Sequence, residues 1–273
     1  MDKKIHLIGS EGFIGKALQR KKVGNDIINW SHKNKDFYFD LFDEKSWVNL
    51  FLSNPKLIII LSWPGLPNYA DSFHTEINLP LMINFIEKLI SNGVDKIVFA
   101  GTCYEYGLLN GKLKEDIIVE PTTQYGIAKN CLRQEITKLC EKNNVAWSWL
   151  RIFYPYGPHQ NKNALLPSLM RAIERKDSYF KISSGNLIRD FIHVDKVAEH
   201  LLLLVKNREI IGIFNSGSGK PQTILHKVEL IKEKQNSTIE IITNFYNNRV
   251  HEPKEFWADM QKLNNVIKKI KNL

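Results

Sequence analysis

The chain has 273 residues, which is enough for a large hydrophobic core and for one or two domains. Its 38 basic and 29 acidic residues give a formal net charge of +9. The basic residues are scattered, and without a block of like charges or a known recognition module this pattern argues against nucleic-acid binding. The positive charge is compatible with an anionic small molecule as the partner.

The longest aliphatic runs, residues 57–61 and 201–205, are far shorter than the about 20 residues that cross a bilayer. The chain opens on a predicted strand and not on a signal sequence. Its cysteines, Cys103, Cys131 and Cys140, lack metal-ligand spacing, as do the eight histidines. We therefore expect a cytoplasmic protein with reduced thiols, no membrane partner and no metal site.

The first predicted elements enclose a glycine-rich turn. Residues 4–8 form an apolar strand pattern, residues 13–22 a helical one, and Gly9, Gly12 and Gly15 lie between and just after them. In a strand, turn and helix of this kind, the glycines permit a tight turn, close approach to a pyrophosphate and close helix packing. The helix N-terminus, with Phe13 and Ile14, adds N–H donors for phosphate. The spacing GxxGxxG is one residue longer in its first interval than the commoner dinucleotide fingerprint.

Strand and helix patterns alternate along most of the chain. We predict strands at 26–30, 57–61, 95–100 and 146–152, and helices near 44–52, 75–91 and 125–143. This alternation is typical of an α/β fold with a doubly wound parallel sheet of the Rossmann type. Residues 155–189 leave the sheet, 190–216 return to it, and 217–273 add helices, including one at 259–270.

The residues at the end of the second strand indicate whether the cofactor is NAD or NADP. A carboxylate there would bond the ribose 2′-hydroxyl of NAD, whereas a small polar or cationic residue accommodates the 2′-phosphate of NADP. Here Trp30 is followed by Ser31, His32 and Lys33, with no acid among them. The sequence therefore favours NADP(H), with NAD(H) as the alternative.

Tyr125 and Lys129 lie four residues apart on a predicted helix, so they share one face a turn apart. A neighbouring ammonium favours the phenolate and would lower the pKa of the tyrosine towards the range of a general acid or base. Taken with the glycine turn, the pair predicts redox chemistry on a nucleotide cofactor.

Several further segments, in chain order, carry a resemblance to a known family. They are Leu57 to Ser62, Ala100 to Gly107, Tyr125 to Lys129, Leu150 to Pro158, Arg189 to Asp195 and Phe214 to Gly219. With the glycine turn, these segments resemble the extended short-chain dehydrogenase/reductase family, which includes nucleotide-sugar epimerases, dehydratases and reductases. The resemblance covers nearly the whole chain.

The resemblance implies roles for individual residues. Thr102 takes the place of the catalytic Ser/Thr, Tyr125 that of the acid/base, and Lys129 that of the residue that holds the cofactor ribose. Asp40 and Leu41 match an Asp-hydrophobe pair beside the adenine. Further cofactor-binding positions are Leu61, Ser62, Trp63 and Phe153.

Substrate contacts are also implied. Arg189 and Arg249 resemble arginines that clamp the diphosphate of a nucleotide sugar, since a guanidinium fits phosphate oxygens in a bidentate manner. Tyr154 stands where epimerases of the family usually have Asn, and Tyr104, with Trp63, would wall the sugar pocket. The segments 62–65 and 102–107 look closest to 4-ketoreductases.

We therefore predict NADPH-dependent reduction of the 4-keto group of a dTDP-, CDP- or GDP-linked 4-keto-6-deoxyhexose, in surface-polysaccharide biosynthesis. Two alternatives stay open: an NAD-dependent nucleotide-sugar 4-epimerase, and a non-catalytic dinucleotide-binding sensor or scaffold.

By the same resemblance, residues 1–154 form an NAD(P)-binding Rossmann domain to which 190–216 return, and 155–273 form mainly a smaller, interleaved C-terminal substrate-binding lobe. The helices at 75–91 and 125–143 would pair across a two-fold axis in a homodimer. Their apolar faces, which also suit packing on the sheet, carry Leu81, Ile83, Phe85, Ile86, Leu132, Ile136 and Leu139.

Overall fold

The computed structural model describes residues 4–21, 26–247 and 253–272. In chain order its elements are β1 (Ile5–Ile8), α1 (Phe13–Arg20), β2 (Ile27–Trp30), α2 (Glu44–Leu52), β3 (Leu57–Ile60), α3 (Leu79–Ser91), β4 (Lys96–Thr102), β5 (Gly111–Leu113), α4 (Gln124–Lys142), β6 (Ala146–Ile152), β7 (Tyr154–Tyr156), α5 (Leu165–Glu174), β8 (Tyr179–Lys181), β9 (Ile188–Arg189), β10 (Phe191–His193), α6 (Val194–Lys206), β11 (Gly212–Ser216), β12 (Gln222–Thr223), α7 (Ile224–Lys234), β13 (Glu240–Ile242), β14 (Phe256–Ala258) and α8 (Gln261–Lys271).

Six strands form one parallel sheet in the order β11-β6-β4-β3-β1-β2. Ile5 of β1 is paired with Ile27 on one side and with Leu57 on the other, so the order of strands reverses at β1. The strands β1 and β6 are buried along their whole length, as expected for a sheet covered on both faces. The predicted doubly wound α/β fold is confirmed.

Helices cover the two faces of the sheet. On one face, Leu18 of α1 and Leu201 of α6 belong to the same hydrophobic cluster. On the other face, Trp47 of α2, Phe85 of α3 and Ile136 of α4 share a second cluster. These three layers place both ends of each parallel strand in fixed positions, and the loops at the carboxyl ends carry the predicted site residues.

The apolar side chains that we predicted for the helices at 75–91 and 125–143 pack within this protomer. Four of them are buried in the second cluster: Phe85, Ile86, Leu132 and Ile136. The other three are partly buried around it: Leu81, Ile83 and Leu139. Packing on the sheet accounts for these residues, and the homodimer stays a prediction.

Some element boundaries differ from the predicted ones for local reasons. The predicted helix at 75–91 begins as a π-helical turn, His74–Asn78, and continues as α3. The last helix begins at Gln261 and not at residue 259, because the side chain of Asp259 accepts a hydrogen bond from the Gln261 amide at 2.8 Å. A side chain that accepts from the helix in this way normally precedes its first turn.

A smaller set of elements lies between β6 and the returning strand β11, and after β11. The helices α5 and α7 bury Leu169 and Val228 in a third cluster with Ile239. The strands β8 and β13 pair in parallel, and β11 returns to pair with β6 at the edge of the main sheet. This path agrees with the predicted excursion and return, whereas the division into two domains stays an interpretation. Within the described ranges, no helix is both long and apolar enough to cross a membrane.

Lys96 is a fully buried cation at the amino end of β4. Its Nζ donates hydrogen bonds to Ser148 Oγ at 2.8 Å and to the Ile210 carbonyl at 2.5 Å. Burial lowers the pKa of Lys96 to about 8 from an ordinary value of 10.5. Between about pH 8 and 10.5, Lys96 is therefore more protonated in the unfolded chain than in the folded chain. As a result, the free-energy cost of burying Lys96 falls as pH rises through this range.

We expect Lys96→Met to raise the thermal unfolding midpoint at pH 7, because Ser148 still donates to the Ile210 carbonyl at 2.6 Å and both remain paired. The gain over the wild type should shrink as pH rises from about 8 to about 10. Differential scanning calorimetry over this pH series measures the difference in unfolding midpoint between the variant and the wild type. A gain that is constant or grows with pH would contradict the assignment.

Candidate functional site

The predicted site residues meet at the carboxyl edge of the sheet. Gly9 follows β1, Ser31 follows β2, Leu61 follows β3, Thr102 ends β4 and Phe153 follows β6. Since these strands are parallel, their carboxyl ends lie at one edge, and β1 is the switch point of the strand order. Ligands of open α/β sheets bind in the crevice at such a point.

The three glycines of the turn differ in how much room the surrounding backbone leaves for a side chain. Gly9 has φ +85°, and a Cβ there would lie 2.8 Å from the Ser62 amide nitrogen. A Cβ on Gly15 would lie 2.5 Å from the Gly9 carbonyl oxygen. A Cβ on Gly12 would meet only that same oxygen, at 3.3 Å, and the backbone there has an ordinary φ of −71°. Folding therefore requires Gly9 and Gly15, whereas a side chain at Gly12 would make one tight contact that a shift of a few tenths of an ångström relieves.

Two loops flank this turn. The Ser31 hydroxyl is buried and accepts hydrogen bonds from the amides of Lys33 and Asn34 at 3.3 and 3.2 Å. It thus closes a turn on which His32 and Lys33 are exposed. Asp40 accepts from the Phe42 amide at 3.0 Å, and Leu41 is buried in the second hydrophobic cluster.

Thr102, Tyr125 and Lys129 are brought together and buried. Thr123 caps α4 by accepting from the Gly126 amide at 3.0 Å, which places Tyr125 in the first turn and Lys129 in the second. The Thr102 hydroxyl lies near the Tyr125 phenol and favours its ionised form, which lowers the pKa of Tyr125. Two elements distant in sequence thus supply one polar cluster.

Four aromatic rings surround Tyr125, with centroid distances between 5.4 and 6.2 Å. They belong to Trp63, Tyr69, His74 and Tyr104. The Trp63 indole donates to His74 Nδ1 at 3.1 Å, so the proton of that imidazole lies on Nε2, 2.9 Å from the Asn68 carbonyl. Tyr69 stacks on Tyr104 at 4.6 Å. The predicted sugar-pocket residues Trp63 and Tyr104 therefore lie beside Tyr125.

The electrostatics of the pair differ from the sequence-based expectation. Burial raises the pKa of Tyr125, the neighbouring Tyr69 raises it further, and the nearby Thr102 hydroxyl opposes the rise. The Lys129 ammonium lies over the indole rings of Trp63 and Trp149, at 4.4 and 5.3 Å from their centroids. The direction is thus opposite to the predicted lowering, because the phenol is buried and the ammonium faces two indoles.

Lys129 is itself perturbed by its surroundings. Burial lowers its pKa to about 8, and the charge of Glu105 opposes this fall. An amine of this kind changes charge in the pH range in which many enzymes work.

A buried hydrogen-bond network centred on Glu105 lies behind this cluster. The sequence analysis did not predict it. Glu105 Oε1 accepts from the Thr102 amide at 2.9 Å and from the Trp149 indole at 2.8 Å, and Oε2 accepts from Arg151 Nε at 2.8 Å. Glu105 and Arg151 are almost fully buried. The signal that could have revealed them is one acid and one base within two otherwise apolar or aromatic segments, 100–107 and 150–158.

The predicted substrate residues divide into three groups. Arg189 is fully buried, and its Nε donates to the Tyr154 hydroxyl at 3.0 Å, so these two predicted residues are joined. Tyr104 and Tyr154 line one small cleft with Cys103 and Phe256. Arg249 lies outside the described residues.

Phe153, which we expected to contact the cofactor, is fully buried. Its ring packs between those of Tyr106 and Phe256, at 6.1 and 5.8 Å. In this structure its side chain belongs to the first hydrophobic cluster.

The strand order and the glycine turn define a protein of the Rossmann type with a nucleotide-binding crevice. The family model of the NAD dependent epimerase/dehydratase family matches residues 5–217, and the chain therefore belongs to this family. The resemblance drawn from the sequence is confirmed.

Three known proteins illustrate the similarity. The dTDP-6-deoxy-L-talose 4-dehydrogenase (NAD(+)) of Aggregatibacter actinomycetemcomitans is 25% identical over 274 residues, covering 93% of this chain and 98% of that protein. The dTDP-4-dehydro-6-deoxyglucose reductase of Escherichia coli is 26% identical over 259 residues, covering 84% and 81%. The structure of RMD from Pseudomonas aeruginosa complexed with NADPH superposes with a TM-score of 0.85 at 20% identity, covering 97% and 92%, which shows the shared fold.

Substitutions can distinguish a glycine that serves ligand binding from one that the fold requires. We expect Gly12→Ala to cost about 1 kcal/mol or less in stability, as for a change at a helix N-cap, yet to weaken dinucleotide binding at least about tenfold. Gly15→Ala should instead destabilise the fold by about 1–3 kcal/mol, because its Cβ meets backbone. Chemical denaturation and fluorescence titration with NADPH measure the two effects. Wild-type NADPH affinity in Gly12→Ala would show that nothing approaches the turn there.

Proposed function

We propose that this protein is an NADPH-dependent reductase of the 4-keto group of a nucleotide-linked 4-keto-6-deoxyhexose, with a dTDP, CDP or GDP carrier. The observation that carries the proposal is the buried cluster of Thr102, Tyr125 and Lys129 at the carboxyl edge of the sheet, with Lys129 one helical turn from Tyr125. The names of two relatives support the substrate class, since both act on dTDP-linked 6-deoxysugars at C4.

The residues present fit a dinucleotide. The lack of a side chain at Gly12 and the N-terminus of α1 suit a pyrophosphate, with Gly9, Phe13, Ile14 and Gly15 around it. The exposed His32 and Lys33, with Ser31 closing their turn, suit the 2′-phosphate of NADP(H). Adjacent positions for the rest of the cofactor are Asp40, Leu41, Leu61, Ser62, Trp63, Tyr125, Lys129 and Phe153. When bound, the nicotinamide supplies the hydride.

The chain's own residues would handle the proton. The pKa of Tyr125 is raised, so its phenol is protonated at neutral pH and can give its proton to the oxygen that develops negative charge at C4 of the sugar. Thr102 would donate a hydrogen bond to the same oxygen. Lys129 would hold the ribose and provide positive charge beside the phenol.

The remaining contacts would bind the sugar nucleotide. Arg189 and Arg249 would bind the diphosphate, and Tyr104 and Tyr154 would wall the sugar beside the cleft that they line. Since Arg189 already donates to the Tyr154 hydroxyl, the two residues would act together.

An NAD-dependent nucleotide-sugar 4-epimerase is the second candidate, because the family to which the chain belongs includes epimerases. An epimerase must retain its cofactor through oxidation and re-reduction, whereas the NADP-leaning turn of Ser31, His32 and Lys33, and Tyr154 in place of the usual Asn, favour a reductase. A non-catalytic sensor or scaffold is the third. The assembled Thr102, Tyr125 and Lys129 cluster argues against it, since binding alone does not require these groups. We further propose a cytoplasmic homodimer that serves surface-polysaccharide synthesis.

The test of function is turnover of a panel of 4-keto-6-deoxyhexose nucleotides, followed at the nicotinamide absorbance band. We expect one NADPH consumed per product and at least about tenfold tighter binding of NADPH than of NADH, or about 1.4 kcal/mol. Protein that copurifies with bound NAD and interconverts C4 epimers without net absorbance change would instead identify the epimerase.

The acid can be tested separately. Tyr125→Phe should lower kcat by about 100-fold or more while the Kd for NADPH stays near the wild-type value, because only the proton donor is lost. Lys129→Ala should impair both parameters. Tyr179→Phe, at an exposed tyrosine of β8, is the matched control and should leave both unchanged. Near wild-type kcat in Tyr125→Phe would refute the role of Tyr125.

A further inference from the structure

The Glu105 carboxylate is buried, and three N–H donors converge on it. Two of them, the Thr102 amide and the Trp149 indole, bond Oε1, and the third, Arg151 Nε, bonds Oε2. A buried carboxylate requires this kind of compensation, because desolvation of an isolated charge is costly. The mechanism proposed above does not use Glu105, so its burial beside the catalytic cluster requires another reason.

Glu105 controls the backbone that presents Thr102. Thr102 precedes a short 3₁₀ turn, Cys103–Tyr106, and it forms a capping box with Glu105. The Thr102 amide donates to Glu105 Oε1, while Thr102 Oγ1 accepts from the Tyr104 amide at 3.3 Å. The carboxylate thereby holds the Thr102 backbone, and the Tyr104 amide holds the hydroxyl oxygen that lies near Tyr125.

Glu105 also acts on Lys129 across an indole ring. The Lys129 ammonium lies between Trp63 and Trp149, and the Trp149 Nε1 atom is 2.8 Å from Glu105 Oε1. A cation over an indole face is stabilised by the ring, and an anion at the N–H edge of that ring adds favourable charge.

Other charged and titratable groups also face this region. They are Arg151 on β6, Arg133 and Tyr125 on α4, and His74 on the π-helical turn. Among the groups that face this region, the Glu105 carboxylate is the charge that favours the ammonium form of Lys129 and opposes the fall of its pKa.

The packing leaves the network no alternative arrangement. A Cβ on Gly101 would clash with Trp149 Nε1 and would lie 2.8 Å from Glu105 Oε1. The Arg151 guanidinium lies over the Tyr106 ring at 4.5 Å and donates to the Glu115 carbonyl at 3.1 Å. An amide at position 105 could keep the two contacts of Oε1, but its NH₂ group would face Arg151 Nε.

We propose that Glu105 is a positioning residue for the reductive site, which fixes Thr102 through its amide and keeps Lys129 protonated through the Trp149 indole. Its contribution to turnover rests on the proposed function, whereas its effect on Lys129 does not depend on any substrate. The charge of Glu105, and not only its shape, is what the site requires.

The experiment is a ¹³C-NMR titration of lysine Cε in the full-length protein, with the Lys129 signal assigned from its loss in Lys129→Met. In Glu105→Gln the titration midpoint of Lys129 should fall at least about 1 pH unit below the wild type, because the opposing anion is gone. Glu105→Asp keeps the charge and should hold the midpoint within about 0.3 unit. Glu115→Gln is the matched control, since the half-buried Glu115 is another carboxylate that accepts a backbone N–H, from Asn215 at 2.9 Å, and it should leave the midpoint unchanged.

An unchanged Lys129 midpoint in Glu105→Gln, or an equal fall in Glu115→Gln, would overturn the proposal. If the unpaired Arg151 prevents Glu105→Gln from folding, the double variant Glu105→Gln/Arg151→Met removes both charges of the pair, and a smaller fall in the same direction is expected in it, because the loss of the Arg151 cation partly offsets the loss of the Glu105 anion. In turnover assays, kcat of Glu105→Gln should drop most above neutral pH and partly recover at lower pH, where Lys129 is again charged. Absence of turnover in the wild type would count against the proposed function alone, since the titration needs no substrate.

Discussion

The buried ion pair of Glu105 and Arg151 is the constraint on which the site depends. Removal of one partner from a pair of this kind leaves an uncompensated charge, at a cost of about 3–5 kcal/mol. The pair joins the turn after β4 to β6, and these two adjacent strands carry Thr102 and Trp149. The carboxyl ends of these strands therefore cannot shift relative to each other without breaking bonds that water cannot replace. The catalytic cluster is built on this fixed point.

The second constraint is the close contact of two loops at the switch point of the sheet. Gly9, after β1, lies directly against the backbone of Ser62, after β3, and a side chain at Gly9 would collide with it. The glycine turn and the segment that leads to Trp63 thus form one surface. This surface connects the space at Gly12 to the rings around Tyr125, so a ligand that spans both would follow the crevice of the fold.

A second buried carboxylate, Asp190, connects the later part of the chain to this framework. Asp190 accepts from the amides of Ser218 at 2.6 Å, Gly219 at 3.0 Å and Ala258 at 3.0 Å. It therefore joins the returning segment to the loop after β11 and to β14. Since Arg189 is its immediate neighbour, this anchoring also places the guanidinium that bonds Tyr154. Compensated buried charge thus positions both sides of the cleft.

The sequence by itself determined the alternation of strands and helices, the glycine turn and the one-turn separation of Tyr125 and Lys129. These features are local, because periodicity, glycine freedom and helical spacing act over a few residues. Only the tertiary structure decided how the cluster is surrounded. Glu105 bonds Trp149 and Arg151 at separations of 44 and 46 residues, and burial among rings from the segments after β3 and β4 reverses the expected shift in the pKa of Tyr125. Desolvation and long-range pairing depend on which segments meet in space, and no local pattern encodes that.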